Sequence, residues 1–295
     1  MSVSPSSSSE RSTGTSPGTS LPQAEHESHQ AAGIDPLQAK LHMKGSTMQN
    51  STLPGKIALV TGGSRGIGAG IVKRLAAEGA TVVFTYAKSS ERAHAVVSGV
   101  QALGGEAHAM QADSADADQA VGSVAEVASR FGRIDILVNS AGGGALDPLD
   151  IASRDEIELI LAVNVRATVL TTKEAIDHMP SGGRVINIGS VNADRMPIPG
   201  GSVYSMSKGA VAGFTRGLAR ELAPKGITVN NVQPGPVDTD LNSSSGPFAL
   251  KMLQHLAVDR FGTVDEVASL VAYLAGPEAS FITGTSITID GGFGA

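Results

Sequence analysis

Lys56-Ile57-Ala58-Leu59-Val60-Thr61-Gly62-Gly63-Ser64-Arg65-Gly66-Ile67-Gly68 is the stretch that decides the fold. Ile57 to Val60 is a short apolar run bounded by glycine, the pattern of a buried strand. Beyond Gly66, Ile67, Ile71, Val72 and Leu75 recur at the spacing of one helix face. Strand, glycine turn and helix start, in that order, bring free N–H groups and the positive end of a helix dipole to one point. That point suits a pyrophosphate. Gly62, Gly66 and Gly68 stand where a tight turn, a close backbone approach and the helix N-terminus are required.

Outward from this unit the same alternation repeats. Strands are predicted at residues 81–86, 107–111, 134–138, 184–188, 228–232 and 286–289. Helices are predicted at 90–103, 116–131, 154–178, 203–222 and 264–274. Strict alternation predicts a single α/β domain over residues 55–295, a doubly wound parallel sheet with helices on both faces. Ligands of such sheets sit at the carboxyl ends of the strands. Residues 1–54 are of another kind: serine-rich, with no apolar periodicity, and read as a disordered extension.

Composition limits the function. The net charge of −6 argues against nucleic acid as a partner. The chain has no cysteine, which excludes disulfides and thiol catalysis, and its seven histidines lack ligand spacing, so no metal is expected. No apolar run is long enough to span a bilayer, and a cytoplasmic protein is the simplest fit.

Four residues carry candidate chemistry. Tyr204 and Lys208 are four apart on a predicted helix, so phenol and ammonium face the same space. A nearby cation lowers a phenol pKa from about 10 toward the range of a useful acid or base. Ser190 ends a strand and could hold a carbonyl oxygen next to the tyrosine; as a plain loop hydroxyl it needs no such role. Asn164 interrupts a long helix, where asparagine is a poor helix former, and a bound water linked to Lys208 would explain its burial. Asp113, past the third strand, is placed to accept from an adenine amino group, and Asn139-Ser140-Ala141-Gly142 to wall an adenosine pocket. At the end of the second strand, Tyr86-Ala87-Lys88-Ser89 lacks the acid that takes both ribose hydroxyls of NAD. Arg65 with Lys88 or Ser89 would instead hold a 2′-phosphate. NADP(H) is therefore the preferred cofactor, with NAD(H) the alternative.

Residues 61–68, Asp113, residues 139–142, Asn164, Ser190, Tyr204, Lys208 and Pro234-Gly235 together resemble the short-chain dehydrogenase/reductase family. The resemblance implies a Rossmann-type seven-stranded sheet and a tetrad of Asn164, Ser190, Tyr204 and Lys208. It implies cofactor contacts from Ser64, Ile67, Ser114, Asn139, Ala141, Gly142, Pro234, Gly235, Val237 and Thr239, alongside those already named. It also implies hydride exchange between a nicotinamide and a carbonyl or secondary alcohol, and a homotetramer or homodimer. Ser140 departs from the family, which more often has a second asparagine there; altered pocket packing and unaltered chemistry are expected.

The glycine loop and second strand resemble bacterial 3-oxoacyl-acyl-carrier-protein reductases. Residues 189–197, 232–240 and 276–281 resemble a cyclic-di-GMP-binding branch of the same family. That adds a second hypothesis, a nucleotide-binding regulator in which Arg195 contacts phosphate. Substrate identity is expected in residues 238–260. There Ser243-Ser244-Ser245-Gly246-Pro247 reads as a hinge and residues 248–256 as a short amphipathic lid over a small, partly apolar carbonyl compound, or equally as a plain loop and helix packed on the rim.

Overall fold

The structure, a computed structural model, describes residues 51–144, 146–246 and 248–295. Most of the extension read as disordered (1–50), and Pro247 of the hinge, lie outside the described residues. Residues 51–54 do not continue the extension. Leu53 is buried, its N–H donates to Glu78 O at 2.9 Å, and Thr52 Oγ1 donates to the Glu78 carboxylate at 2.9 Å. Residues 51–54, which composition set apart from the domain, therefore pack against it. A single leucine carries no periodicity to announce it.

Seven strands alternate with helices. They are β1 (Ile57–Val60), α1 (Gly66–Ala77), β2 (Thr81–Tyr86), α2 (Ser90–Ala102), β3 (Glu106–Gln111), α3 (Ala117–Phe131) and β4 (Ile136–Asn139). After β4 come α4 (Arg154–Leu161), a π-helical turn (Ala162–Ala167), α5 (Thr168–Ile176), β5 (Arg184–Ile188) and α6 (Ser202–Leu222). β6 (Thr228–Pro234), α7 (Ala249–Leu253), α8 (Val264–Ala275) and β7 (Ser286–Ile289) complete the chain. All pairings are parallel, in the order β3-β2-β1-β4-β5-β6-β7. The winding reverses between β1 and β4, which opens a crevice at their carboxyl ends.

Two cores hold the layers together. Val60, Val82, Phe84, Val138 and Ile186 pack one sheet face against Ile71, Leu75, Val267 and Val271 of α1 and α8. Leu59, Val83, Leu137, Val185 and Val229 pack the other against Val124, Val127, Ala175 and Leu218 of α3, α5 and α6. Each such large side chain contributes about 1.5–3 kcal/mol by leaving water.

Four element predictions need correction. The fourth strand, read over 134–138, spans Ile136–Asn139, and the lid helix read over 248–256 is confined to Ala249–Leu253. The helix read as continuous over 154–178 is broken by the π turn around Asn164. β6 runs two residues further than its apolar stretch, because Gln233 and Pro234 pair with Thr288 and Ile289 of β7. Proline is tolerated at that last position, where no N–H is required of it.

Candidate active site

The crevice is a cleft of about 730 Å³ that runs from the end of β2, across the β1–α1 turn, to α6. Its floor is the glycine turn. Gly62 has φ 70° and its N–H donates to Thr85 Oγ1 at 3.1 Å. A Cβ on Gly62 would lie 2.8 Å from Ala141 Cα, and one on Gly68 would lie 2.2 Å from the Gly62 oxygen. The turn therefore closes only with hydrogen at these positions. Thr61 Oγ1 accepts from Ser140 N and Ala141 N, both at 3.0 Å, and ties the next wall of the cleft to this floor. Ser140 thus serves through its backbone, which the departure from asparagine leaves intact.

Ser64, Arg65, Gly66, Ile67, Tyr86, Lys88, Ser89, Asp113, Ser114, Ala141, Gly142, Pro234, Gly235, Val237 and Thr239 all line the cleft. Asp113 Oδ1 accepts from Ala115 N at 2.9 Å, so one carboxylate oxygen holds its own turn. Asn139 does not line the cleft. Its Nδ2 donates to Thr172 Oγ1 of α5 and to Asn187 Oδ1 of β5, and its Oδ1 accepts from Thr171 Oγ1 of α5, between sheet and helix. Its role is to support the wall from behind.

At the far end stand Ser190, Tyr204 and Lys208, all on the cleft. Ser190 follows β5 with extended backbone (φ −165°), and its hydroxyl accepts from Asn192 N at 3.1 Å. Gly201, with φ 71°, opens α6 and sets Tyr204 in its first turn. Gly144 lies against the ring: a Cβ there would be 3.3 Å from Tyr204 Cδ2. Lys208 is buried, gives a hydrogen bond to Ile188 O at 2.8 Å and lies 5.8 Å from the centroid of the Tyr204 ring. Burial lowers its pKa to about 8.

The phenol does not follow the sequence expectation. Burial raises the Tyr204 pKa, and the neighbouring Ser190 hydroxyl opposes that rise without reversing it. Loss of solvent outweighs the lysine, whose ammonium is engaged with the Ile188 carbonyl rather than directed at the phenolic oxygen. Asn164 also differs from expectation. Its Oδ1 accepts from Gly143 N at 3.1 Å, and its Nδ2 donates to Gly143 O at 3.0 Å and to Ser207 Oγ at 2.9 Å. The amide is satisfied by the protein itself and stands behind the glycine wall, so burial needs no water to explain it.

Sequence reasoning missed Leu159 and Val163, which line the cleft from α4 and the π turn. Their spacing of four on an otherwise polar helix face was the available signal. Arg195 donates from Nη1 to the backbone oxygens of Phe293 and Ala295, which ties the segment after β5 to the last residues of the chain.

A protein-family model described as enoyl-(acyl carrier protein) reductase matches residues 62–294. The chain is 52% identical to a short-chain dehydrogenase from Burkholderia cenocepacia, solved in complex with NADP. That comparison covers 83% of this chain and all of the other (100%), with a TM-score of 0.81. The chain belongs to the short-chain dehydrogenase/reductase family. Among curated relatives, the cyclic-di-GMP-binding biofilm dispersal mediator protein of Escherichia coli is 47% identical over 82% of this chain and 98% of its own length. A 3-oxoacyl-[acyl-carrier-protein] reductase of Synechocystis is 41% identical over the same shares, 82% and 98%. Both relationships named from the sequence are thereby present.

Proposed function

We propose that the chain is an NADP(H)-dependent oxidoreductase that interconverts a carbonyl and a secondary alcohol. The observation that carries this reading is that Ser190, Tyr204 and Lys208 share one cleft with a glycine turn whose N–H face is kept bare. Bound dinucleotide supplies the hydride. The glycine turn and the N-terminus of α1 would hold its pyrophosphate, and Arg65 with Lys88 its 2′-phosphate.

The chain's own residues supply the rest. Ser190 donates to the substrate oxygen and fixes it beside Tyr204. The phenol, kept protonated by burial, gives its proton to that oxygen as the carbonyl is reduced. Lys208, kept in place by Ile188 O, would hold the nicotinamide ribose. Leu159, Val163 and Leu241 give the substrate end of the cleft an apolar character, which supports a small, partly apolar carbonyl compound. A homo-oligomer is the expected assembly, supported by wholly exposed Phe281 and half-exposed Tyr273.

The test is NADPH consumption over a panel of ketones, 3-oxo esters and aldehydes, with Tyr204→Phe as control. Activity in the chain and its loss in the variant are expected. Cofactor binding without turnover in either protein overturns the reading. The Escherichia coli relative is named for binding cyclic-di-GMP, which favours a second reading, a regulator on the same scaffold. Calorimetric titration with cyclic-di-GMP, beside NADPH, separates the two.

A further inference from the structure

The active-site end of the sheet rests on a row of amides. Asn139 of β4 pairs in register with Asn187 of β5, and Asn187 with Asn231 of β6. One layer below, on the same face, the corresponding residues are Leu137, Val185 and Val229, all in the apolar core. Leucine or valine would fill the amide layer as well as they fill the one beneath. A buried amide is costly unless its hydrogen bonds are made; those of Asn139 and Asn187 are made, whereas Asn231 Oδ1 has no partner among the described residues. Those bonds, unlike apolar packing, are directional and fix one element's position along another.

Asn187 makes the informative set. It is wholly buried, accepts from Asn139 Nδ2 at 2.8 Å, and its Nδ2 donates to Thr215 Oγ1 at 2.9 Å. Thr215, also wholly buried, passes the chain on to Val211 O at 2.8 Å. Thr215 is on α6, the helix that carries Tyr204 and Lys208. Asn187 is on β5, just before Ile188, whose oxygen receives Lys208, and Ser190. Lys208 and Thr215 are two helical turns apart, about 10 Å along the axis, and on the same face. α6 is thus gripped by β5 at two points, and the two elements so joined are the ones that carry the reacting groups.

We propose that Asn187 and Thr215 are positioning residues, whose hydrogen bond sets the axial register of α6 on β5 and with it the placement of the Tyr204 phenol against the Ser190 hydroxyl. The consequence for turnover rests on the carbonyl-reductase reading; the placement itself does not.

Two measurements on the full chain keep these apart, using Thr215→Val, which keeps the shape and removes the hydroxyl, and Thr215→Ser, which keeps the hydroxyl. Thr215→Ala replaces the valine variant if that one does not fold. In the first, kcat for carbonyl reduction falls roughly tenfold or more in the valine variant, since small misplacements of reacting groups are costly. The NADPH dissociation constant, read by cofactor fluorescence, stays within about twofold, and serine restores the rate. Unchanged kcat, a parallel loss of NADPH binding, or failure of serine to restore it overturns the inference.

The second measurement needs no turnover. Ionisation of the Tyr204 phenol, with Lys208 beneath its ring and Ser190 beside it, is read as the ultraviolet difference against Tyr204→Phe. The midpoint moves by about half a pH unit or more in the valine variant and returns in the serine variant. An unmoved midpoint overturns the positioning role. A chain that reduces no carbonyl but shows the shift overturns the catalytic reading alone.

Discussion

Lys208 Nζ donates to the backbone oxygen of Ile188 at 2.8 Å, in a site where the lysine is 5% exposed. One hydrogen bond to a neutral carbonyl does not replace the water an ammonium loses, and the pKa falls to about 8. The folded value therefore lies below the unfolded one, near 10.5. Between these pH values the unfolded chain binds the extra proton, so stability rises as pH rises through the window. Below about pH 8 both states are charged and the full cost of burial remains.

Lys208→Met is accordingly expected to stabilise the fold at pH 7, by about 1–3 kcal/mol, while abolishing turnover. The gain shrinks toward zero as pH approaches the unfolded lysine value. Denaturant unfolding at pH 7 and at alkaline pH measures both. A variant that is less stable than the parent at pH 7 would mean that the lysine is a net support of the fold.

The raised phenol pKa gives a direction to the pH dependence of catalysis. Carbonyl reduction needs the protonated phenol, and alcohol oxidation the phenolate. With burial dominating at Tyr204, the alkaline fall of reduction is expected only above the ordinary phenol value of 10.0, and oxidation is expected to climb as pH approaches it. Initial rates in both directions across pH, with cofactor saturating, check this. An alkaline limb of reduction that sets in near neutrality would show that the lysine, not burial, governs the phenol.

That same phenol marks where sequence reading stops. The strands were legible because parallel strands buried on both faces are short apolar runs, as in Ile57–Val60 and in Val82-Val83-Phe84 of β2. The glycine turn was legible because its chemistry is local. Tyr204 and Lys208 were legible as a pair, since four residues on a helix share a face, but not as an energy. The sign of the phenol shift depends on how much water the fold removes, and no spacing reports that. The π turn was hidden for a related reason. It is stabilised by Gly143, 21 positions before Asn164, and by Ser207, 43 positions after it. The end of β6 was hidden because Gln233 reads as polar and Pro234 as a strand breaker, although the sheet buries Gln233 and pairs both with β7.

Under the proposed function, cofactor selectivity would be set at the end of β2. Arg65 and Lys88 are exposed residues on the cleft rim, and no carboxylate stands between Tyr86 and Ser89. A 2′-phosphate gains charge-assisted hydrogen bonds there, each worth about 1.5–3 kcal/mol, and a ribose hydroxyl gains little. Arg65→Ala is expected to weaken NADPH roughly ten- to a hundredfold and NADH by less than about threefold. Lys88→Ala should act in the same sense. Fluorescence titration with both cofactors reads the ratio, and equal losses for the two would remove the assignment.

Asn164 offers the sharpest stability test, because every polar atom of its side chain is committed. Its amide closes a reciprocal pair with the N–H and oxygen of Gly143 and donates to Ser207 Oγ, which itself donates to Tyr204 O at 2.7 Å. Asn164→Ala leaves both Gly143 groups and the serine short of partners, in a site where Asn164 is 1% exposed. An unsatisfied buried polar group costs about 1–3 kcal/mol, so a loss of about 2–4 kcal/mol is expected. A second effect should accompany it. The asparagine is what couples the π turn to the glycine wall of the cleft, and without it the turn has no fixed partner across the site. Hydrogen exchange at Gly142 and Gly143 should then accelerate well beyond the drop in global stability, while the amides of β5 keep pace with it. Exchange rising uniformly across the domain would make Asn164 an ordinary core residue rather than the joint between the helix and the cleft wall.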